Sequence, residues 1–448
     1  MEKLFDLPPA VLTVLTVLRA WGARTFIMGG AIADMLVGRE PRDWDLEVHG
    51  MAEDQVLSAL SDYRPKKVGS TFAAIRFNVN GTPIDITLPN VDPIEAARQR
   101  DLTINSPYYD PYTKELFDPF GGVEDGRQGI LAATSEHYLN YPVNALRTAQ
   151  FLSRGKGRSV NMQTTLFASS MAARADTIPA EQIFAQMRKL LSGTSPQRGL
   201  EFLRLTRWLY PIFPELHMLC GTPENQAWHP EGKTSWEHTL CVIENMATCL
   251  NMWPGQYSEN EATQIPEEWK EALMWAALCH DLGKALTADG TGSFVGHDQA
   301  GEAPTRALLE RLKAPKDLVE KTVTLVTNHM QPWTLTWGTA GDAAWRRLHN
   351  KVPLQILVWL SRADWSAHPN HEVGDWGNHK PSVAIADAIT RLPAAKIPAV
   401  VQGRDLIAAG ISPGPHMKTA LDAAYAAQIE DTTLTKDALI AVALAALS

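Results

Sequence analysis

The stretch Met28-Gly29-Gly30-Ala31-Ile32-Ala33-Asp34-Met35-Leu36, followed at a short distance by Asp43-Trp44-Asp45, decides how the N-terminal part of this chain reads. A strand over Arg24–Met28 runs into the two glycines, and a helix begins near Ala31–Leu36. Glycines at a strand-to-helix junction let the backbone approach a triphosphate closely, and the helix N-terminus offers free N–H groups. Asp43 and Asp45 alternate by two, so on an extended segment both carboxylates face one side. Two such groups can hold a pair of Mg²⁺ ions. Asp85, on the strand that follows the Asn80-Gly81 turn, is placed to be a third ligand. An isolated Asp-x-Asp is usually a solvated strand end; a glycine pair, helix, Asp-x-Asp, hairpin and further aspartate in series is much rarer.

Working outward, residues 10–21 read as an amphipathic helix, and Asp45–Val48, Ala73–Asn78 and Ile84–Leu88 as strands, the last two joined by the Asn80-Gly81 hairpin signal. This α/β unit ends around Leu131. From about Asn144 to Leu216 the pattern is helical and carries Arg147, Arg154, Lys156, Arg158, Arg188, Lys189 and Arg198. A second helical region, about Ala227 to Ala367, is rich in His and Trp, and an Ala-rich helical tail follows from about Pro381. The fold class is α+β, divided into 1–135 (mixed-sheet head), 136–220 (helical neck carrying the basic residues), 221–375 (histidine-rich helical domain) and 376–448 (helical tail).

The histidine-rich region contains the second constellation. His280-Asp281-Leu-Gly-Lys284 ends the apolar run Ala272–Cys279; His238 lies upstream, and His297, His329 and Asp364 lie downstream. Neutral imidazole with carboxylate is a common mixed ligand set for divalent transition ions. His238, His280, Asp281 and Asp364 are the candidate ligands of a first metal, and His297 and His329 of a second metal or of phosphate. One buried histidine is usually a hydrogen-bonded core residue; six residues in this order are not. The tryptophans, Trp208, Trp228, Trp236, Trp253, Trp269 and Trp275 among them, read mostly as helix-packing residues, and His368 and His371 as a surface turn.

Bulk properties set the frame. A chain of 448 residues is too long for one ordinary core. Its 45% hydrophobic and 20% charged content is that of a globular protein, with no run of membrane-spanning length and no signal-peptide core behind Met-Glu-Lys. The four cysteines form no CxxC pair, so the reading is of a cytoplasmic protein without disulfides or membrane contact. The net charge of −9 argues only weakly against nucleic acid, since binding follows local basic patches. Oligomeric state is not legible.

These residues resemble a family. The stretch MGGAIADMLVGREPRDWDLEV, then Arg100-Asp101-Leu-Thr-Ile-Asn105, Asp110 and Asp118-Pro-Phe-Gly-Gly122, is similar to the head signature of class II tRNA nucleotidyltransferases and bacterial poly(A) polymerases. The histidine series resembles the HD phosphohydrolase superfamily, and the whole is similar to bacterial CCA-adding enzymes with a fused HD domain. The resemblance implies a head using NTP and Mg²⁺, with Gly29, Gly30, Asp34, Arg100, Asp101, Asn105 and Arg147 at the nucleotide. It also implies an HD domain using Mg²⁺ or a transition metal, with Lys284 contacting phosphate, and a tRNA or similar RNA 3′ end as partner. HD domains in related fused enzymes imply phosphatase and 2′,3′-cyclic phosphodiesterase activity. This chain departs from the pattern where the family carries arginine, at Ala33, Asn144, Gln150 and Gln182. Tyr141 and Asn144 stand at the base-reading positions, which implies altered nucleotide choice. The alternatives are an HD phosphohydrolase whose degenerate head only docks RNA, and a non-catalytic RNA-binding protein.

Overall fold

Alternation of apolar and polar side chains builds the N-terminal sheet. A computed structural model describes residues 6–36, 40–41, 43–68, 74–251, 265–290, 292–338, 340–375, 377–392 and 396–447; the expected strand start at Ala73, part of the stretch quoted above (37–39 and 42) and Trp253 lie outside them. Seven strands pair in one sheet: β1 (Arg24–Met28), β2 (Trp44–His49), β3 (Lys66–Val68), β4 (Ala74–Val79), β5 (Thr82–Thr87), β6 (Tyr108–Asp110) and β7 (Glu115–Phe117). Their order is β3-β4-β5-β2-β1-β6-β7, with β2 and β5 parallel and the other pairs antiparallel, so the sheet is mixed. The β4–β5 hairpin turns on Asn80 (φ 50°) and Gly81 (φ 89°), both left-handed as a type I′ turn requires. The Gly81 N–H donates to Asn78 Oδ1 at 2.7 Å.

The helix Pro9–Ala20 covers this sheet because Val11, Val14, Leu15 and Leu18 recur at helical spacing and are fully or almost fully buried. They share a core with Ile27, Leu46, Val48, Ile84 and Ile86. Each such side chain contributes about 1.5–3 kcal/mol in transfer free energy. The strands β3, β6 and β7 were not expected from the sequence; each is three residues long, too short for alternation to declare itself.

The chain divides into two compact units. The first is Met1–Pro179 with Phe202–Pro211; the second is Ala180–Glu201 with Ile212–Ser448. The helices expected as a separate neck are therefore shared out. The helix Val143–Leu152 belongs to the first unit, whereas Ala180–Leu191 belongs to the second, where Phe184 stacks on Trp275 and Arg188 makes a two-pronged ion pair with Glu271.

At the centre of the second unit is the helix Glu267–Cys279, buried on every side from Ala272 to Cys279. A helix apolar all round belongs in the middle of a bundle. It packs against Ser235–Asn251, Lys316–Asn328 and Leu354–Trp365, and its C-terminal end delivers His280 and Asp281 among them. Helices Gly403–Ala408, His416–Glu430 and Lys436–Ala445 close a small core around Leu406, Ala420, Ala424 and Leu439. Among the described residues, no helix is long and apolar enough to cross a membrane.

One backbone approach in the head tolerates no side chain. A Cβ on Gly122 would overlap the Thr103 carbonyl oxygen, while one on Gly126, in the same helix, would meet nothing within 4 Å. Thermal and denaturant unfolding will show Gly122→Ala destabilising the protein by about 1–3 kcal/mol. Gly126→Ala will leave it unchanged or more stable by up to about 1 kcal/mol.

Candidate active sites

In the head, register sets the chemistry. Met28 pairs with Asp45 across β1 and β2, and Asp45 pairs with Asp85 across β2 and β5, so the three central strands bring Gly29, Asp43, Asp45 and Asp85 together. Gly29 (φ 69°) is where glycine is required: a Cβ there would sit 2.8 Å from Asp45 Oδ2. Trp44, almost fully buried, points into the core and sends its two aspartate neighbours to the other face. Burial, then the charges of Asp43 and Asp85, push Asp45 up to a pKa of about 6. A crowd of carboxylates that raises its own pKa is what a divalent-cation site looks like before the cation arrives. Asp85 is held by Arg76 through two hydrogen bonds of 2.8 and 2.6 Å; the sequence reading missed Arg76, which meets Asp85 only through the β4–β5 register.

Asp101, Asn105 and Arg147 form one network. Asp101 Oδ1 accepts from Asn105 Nδ2 at 2.8 Å and from the Leu102 N–H, and Oδ2 accepts from Arg147 Nε at 2.6 Å. Burial would raise the Asp101 pKa, but Arg147 and these hydrogen bonds hold it below the usual value. Arg100 pairs with buried Glu47 on β2, which also bonds His49. Asp110 and Asp118 have local tasks: Asp110 caps the turn at Tyr112 and Thr113, and Asp118 accepts from the Gly122 and Val123 N–H groups.

Tyr141 is half-buried, and Asn144 is buried, with its amide donating to the Tyr138 carbonyl at 3.0 Å. Asp34 is half-buried and Ala33 exposed at the end of the glycine stretch. Arg154 feels both Asp34 and Asp43, although burial and the neighbouring Arg158 and Arg147 lower its pKa to about 10. Arg154, one of the basic residues of the helical stretch, thus belongs electrostatically to the carboxylate site.

In the second unit, six side chains from five helix ends and faces converge. His238 Nε2 lies 3.1 Å from Asp364 Oδ1, 3.3 Å from His280 Nε2 and 3.6 Å from Asp281 Oδ2. His297 Nε2 lies 3.2 Å from His329 Nε2 and 3.4 Å from Asp281 Oδ1. The result is two clusters of potential ligands, His238/His280/Asp364 and Asp281/His297/His329, with Asp281 turning one oxygen toward each.

Every ring is held from behind. Nδ1 of His280, His297 and His329 meets the carbonyls of Ala277, Phe294 and Val326 at 2.7–2.9 Å, and His238 Nδ1 meets Glu231 Oε1 at 2.7 Å. An acceptor at Nδ1 requires the proton there, so Nε2 presents a lone pair. Four lone pairs and two carboxylates facing one another fit divalent cations. Burial disfavours charge on His238, yet hydrogen bonds to Asp364 and Glu231 push it up to about 10: the carboxylates demand a positive charge, which a cation supplies in place of the proton. Burial, and the neighbouring His297 and His280, lower His329 to about 4.

Lys284, expected at phosphate, is buried between Asp281 (2.9 Å) and Glu224 (2.8 Å) and borders the cavity above the site. Glu224 and Glu231 were missed: Glu224 meets Lys284 from sixty residues away, and Glu231, seven residues before His238, sits in a loop that no periodicity marks. His229 Nδ1 also meets Glu231 Oε1, at 2.9 Å. His371, read as a surface turn, stacks on Trp365 with ring centroids 4.0 Å apart.

Comparison with known proteins finds two families along the chain. Residues 236–367 match the HD domain family and residues 88–132 the Poly A polymerase head domain family. The multifunctional CCA protein of Xylella fastidiosa is 32% identical over 352 residues, 75% of this chain and 78% of that one. That of Xanthomonas campestris is 29% identical over 439 residues, 91% and 98% of the two chains. The fold is similar to that of the Bacillus stearothermophilus CCA-adding enzyme in complex with CTP (TM-score 0.64, 20% identity, 98% of each chain) and of the Thermotoga maritima CCA-adding enzyme complexed with tRNA (TM-score 0.59, 15% identity, 100% and 97%).

Two substitutions test the support behind the ligands. Glu231→Gln will weaken Mn²⁺ binding to the histidine cluster, read by calorimetry, roughly 10–100-fold with the fold intact. Gly283→Ala, whose Cβ would overlap the His297 carbonyl, will displace His297 and lower the number of ions bound per chain, read by metal analysis after gel filtration.

Proposed function

This chain belongs to the multifunctional CCA protein family, and on that premise we propose that it prepares and extends RNA 3′ ends, the head adding nucleotides from NTPs to a tRNA-type end and the HD domain clearing phosphate from such ends. It is an enzyme of the nucleotidyltransferase class with an HD domain. The observation that carries the reading is the crowding of Asp43, Asp45 and Asp85 around Gly29, with the Asp45 carboxyl pushed up to about 6 by burial and by its neighbours. Carboxylates are assembled at this cost in a fold where two cations are to be held.

Asp43, Asp45 and Asp85 would hold Mg²⁺ in the head; His238, His280, Asp281 and Asp364 would hold one ion of the HD site, and His297 and His329 a second with Asp281. Divalent ions so bound supply Lewis acidity and lower the pKa of a hydroxyl or water. In the head, the RNA 3′ hydroxyl attacks the NTP α-phosphate and pyrophosphate leaves. Gly29 and Gly30 admit the triphosphate, and the Arg147–Asp101–Asn105 network sets the sugar's position. In the HD domain, water opens a 2′,3′-cyclic phosphate by breaking its P–O3′ bond, which leaves a 2′-phosphate and a free 3′ hydroxyl, or removes a terminal 3′-phosphate as inorganic phosphate; either frees the hydroxyl that addition needs. Carbonyl-anchored imidazoles keep the pocket's lone pairs aimed throughout.

Nucleotide choice departs from strict C-C-A. Asn144 is buried and bonded to Tyr138, so it cannot offer a base edge what a guanidinium offers, and Ala33 and Gln150 are likewise uncharged. Labelled NTPs, supplied singly with Mg²⁺ and a tRNA lacking its 3′ CCA, will show extension that is abolished in Asp43→Ala/Asp45→Ala, with CTP and ATP discriminated less sharply than the arginine-bearing pattern implies. No extension with any NTP would reduce the head to an RNA-docking module. His280→Ala will abolish opening of an RNA 2′,3′-cyclic phosphate while extension continues.

A further inference from the structure

The HD site opens into a cavity of about 800 Å³ whose floor is Asp281, His297, His329 and Asp364. Its wall is aromatic, formed by Trp228, Trp333, Trp337 and Trp365. The wall is tied to the floor by the chain itself. Trp365 follows Asp364 directly, and the helix Gln331–Trp337, which carries Trp333 and Trp337 one turn apart, begins two residues after His329. Trp333 and Trp337 have ring centroids 5.2 Å apart, and Trp365 lies flat on His371 at 4.0 Å and 12°.

Two of these rings do not serve as core, and the other two are only half-buried. Trp337 is 65% exposed and Trp228 70%. Trp333, Trp337, Trp365 and His371 also line a second cavity of about 310 Å³, beside Asn370 and Lys380, so the wall borders open space on two sides. Large apolar rings left bare at the mouth of a polar pocket mark a binding surface. We infer that this tryptophan wall is a nucleobase subsite, so that the HD site takes a phosphate ester whose base stacks on the wall while its phosphate reaches the floor.

Two features of the cavity select this ligand. A planar ring suits flat aromatic faces, and stacking on them accepts any base, which fits an RNA end of variable sequence. An ester with no base would use the floor alone and forgo the wall. The inference rests on the phosphohydrolase reading of the floor, and the experiment separates the two.

The protein carrying Asp43→Ala/Asp45→Ala, which removes the head's metal ligands, is titrated calorimetrically with AMP, ribose 5-phosphate and phosphocholine in EDTA. In parallel, Mn²⁺-loaded protein is given adenosine 2′,3′-cyclic phosphate and base-free glycerol 1,2-cyclic phosphate. AMP will bind tightest of the three ligands. Trp337→Ala will weaken it roughly 5–100-fold and collapse the preference for the adenosine ester, while Trp337→Phe retains most of both. Ribose 5-phosphate or phosphocholine binding as tightly as AMP, or AMP affinity unchanged in both Trp337→Ala and Trp228→Ala, overturns the subsite. Base-dependent binding that is lost in Trp337→Ala, without hydrolysis of either ester, keeps the subsite and removes the phosphohydrolase reading.

Discussion

Asp281 is the residue around which the second unit is organised. It is 2% exposed, with Oδ2 facing His280, His238 and Lys284 and Oδ1 facing His297. A carboxylate buried this deeply costs several kcal/mol unless it is paired. Much of the surrounding architecture meets that demand. The central helix is apolar all round, so its end can emerge in the middle of the bundle rather than at the edge. Gly283 has no side chain, so the His297 carbonyl comes up against it. Lys284 is neutralised from its far side by Glu224, which keeps the ammonium in the interior. Each ligand's rear nitrogen is fixed by a backbone carbonyl or by Glu231.

The head solves a related problem with strands. Like charges are forced together by sheet register, and the relief comes from Arg76 beside Asp85 and from Arg100 and Arg147, which draw the Asp45 pKa back down. In both units the groups that hold the site are not those that would do its chemistry. They lie one step further out, on neighbouring strands, helix ends and loops.

That distinction separates what the sequence discloses from what it conceals. The Asp43/Asp45 pair and the His280-Asp281 dipeptide are legible because their spacing is local: two residues along a strand, or adjacent residues at the end of an apolar run. The mixed sheet, the helical remainder and the hairpin at Asn80-Gly81 are legible for the same reason. Arg76 and Glu224 are not, the first because its pairing depends on hairpin register and the second because it meets Lys284 from sixty residues away; Glu231, seven residues before His238, lies in a loop whose course no periodicity discloses. The tryptophans mislead in a different way. Indole is apolar enough to read as core at helical spacing, and only the fold separates buried Trp208 and Trp275 from exposed Trp228 and Trp337. The division of the neck helices is hidden too, since membership of a unit depends on contacts such as Phe184 with Trp275.

The Asn80-Gly81 turn has a significance beyond closing a hairpin. Surface loops ordinarily absorb insertions and deletions with little harm. Here the turn fixes which residue of β5 lies beside Asp45 on β2, and side chains alternate faces with a period of two. A one-residue slip of β5 would turn Asp85 to the opposite surface and, by the same alternation, bring Ile84 and Ile86 out of the core, so the site and the packing beneath it would fail together. The hairpin is therefore one place where the lineage of this protein can drift in residue identity but not in length.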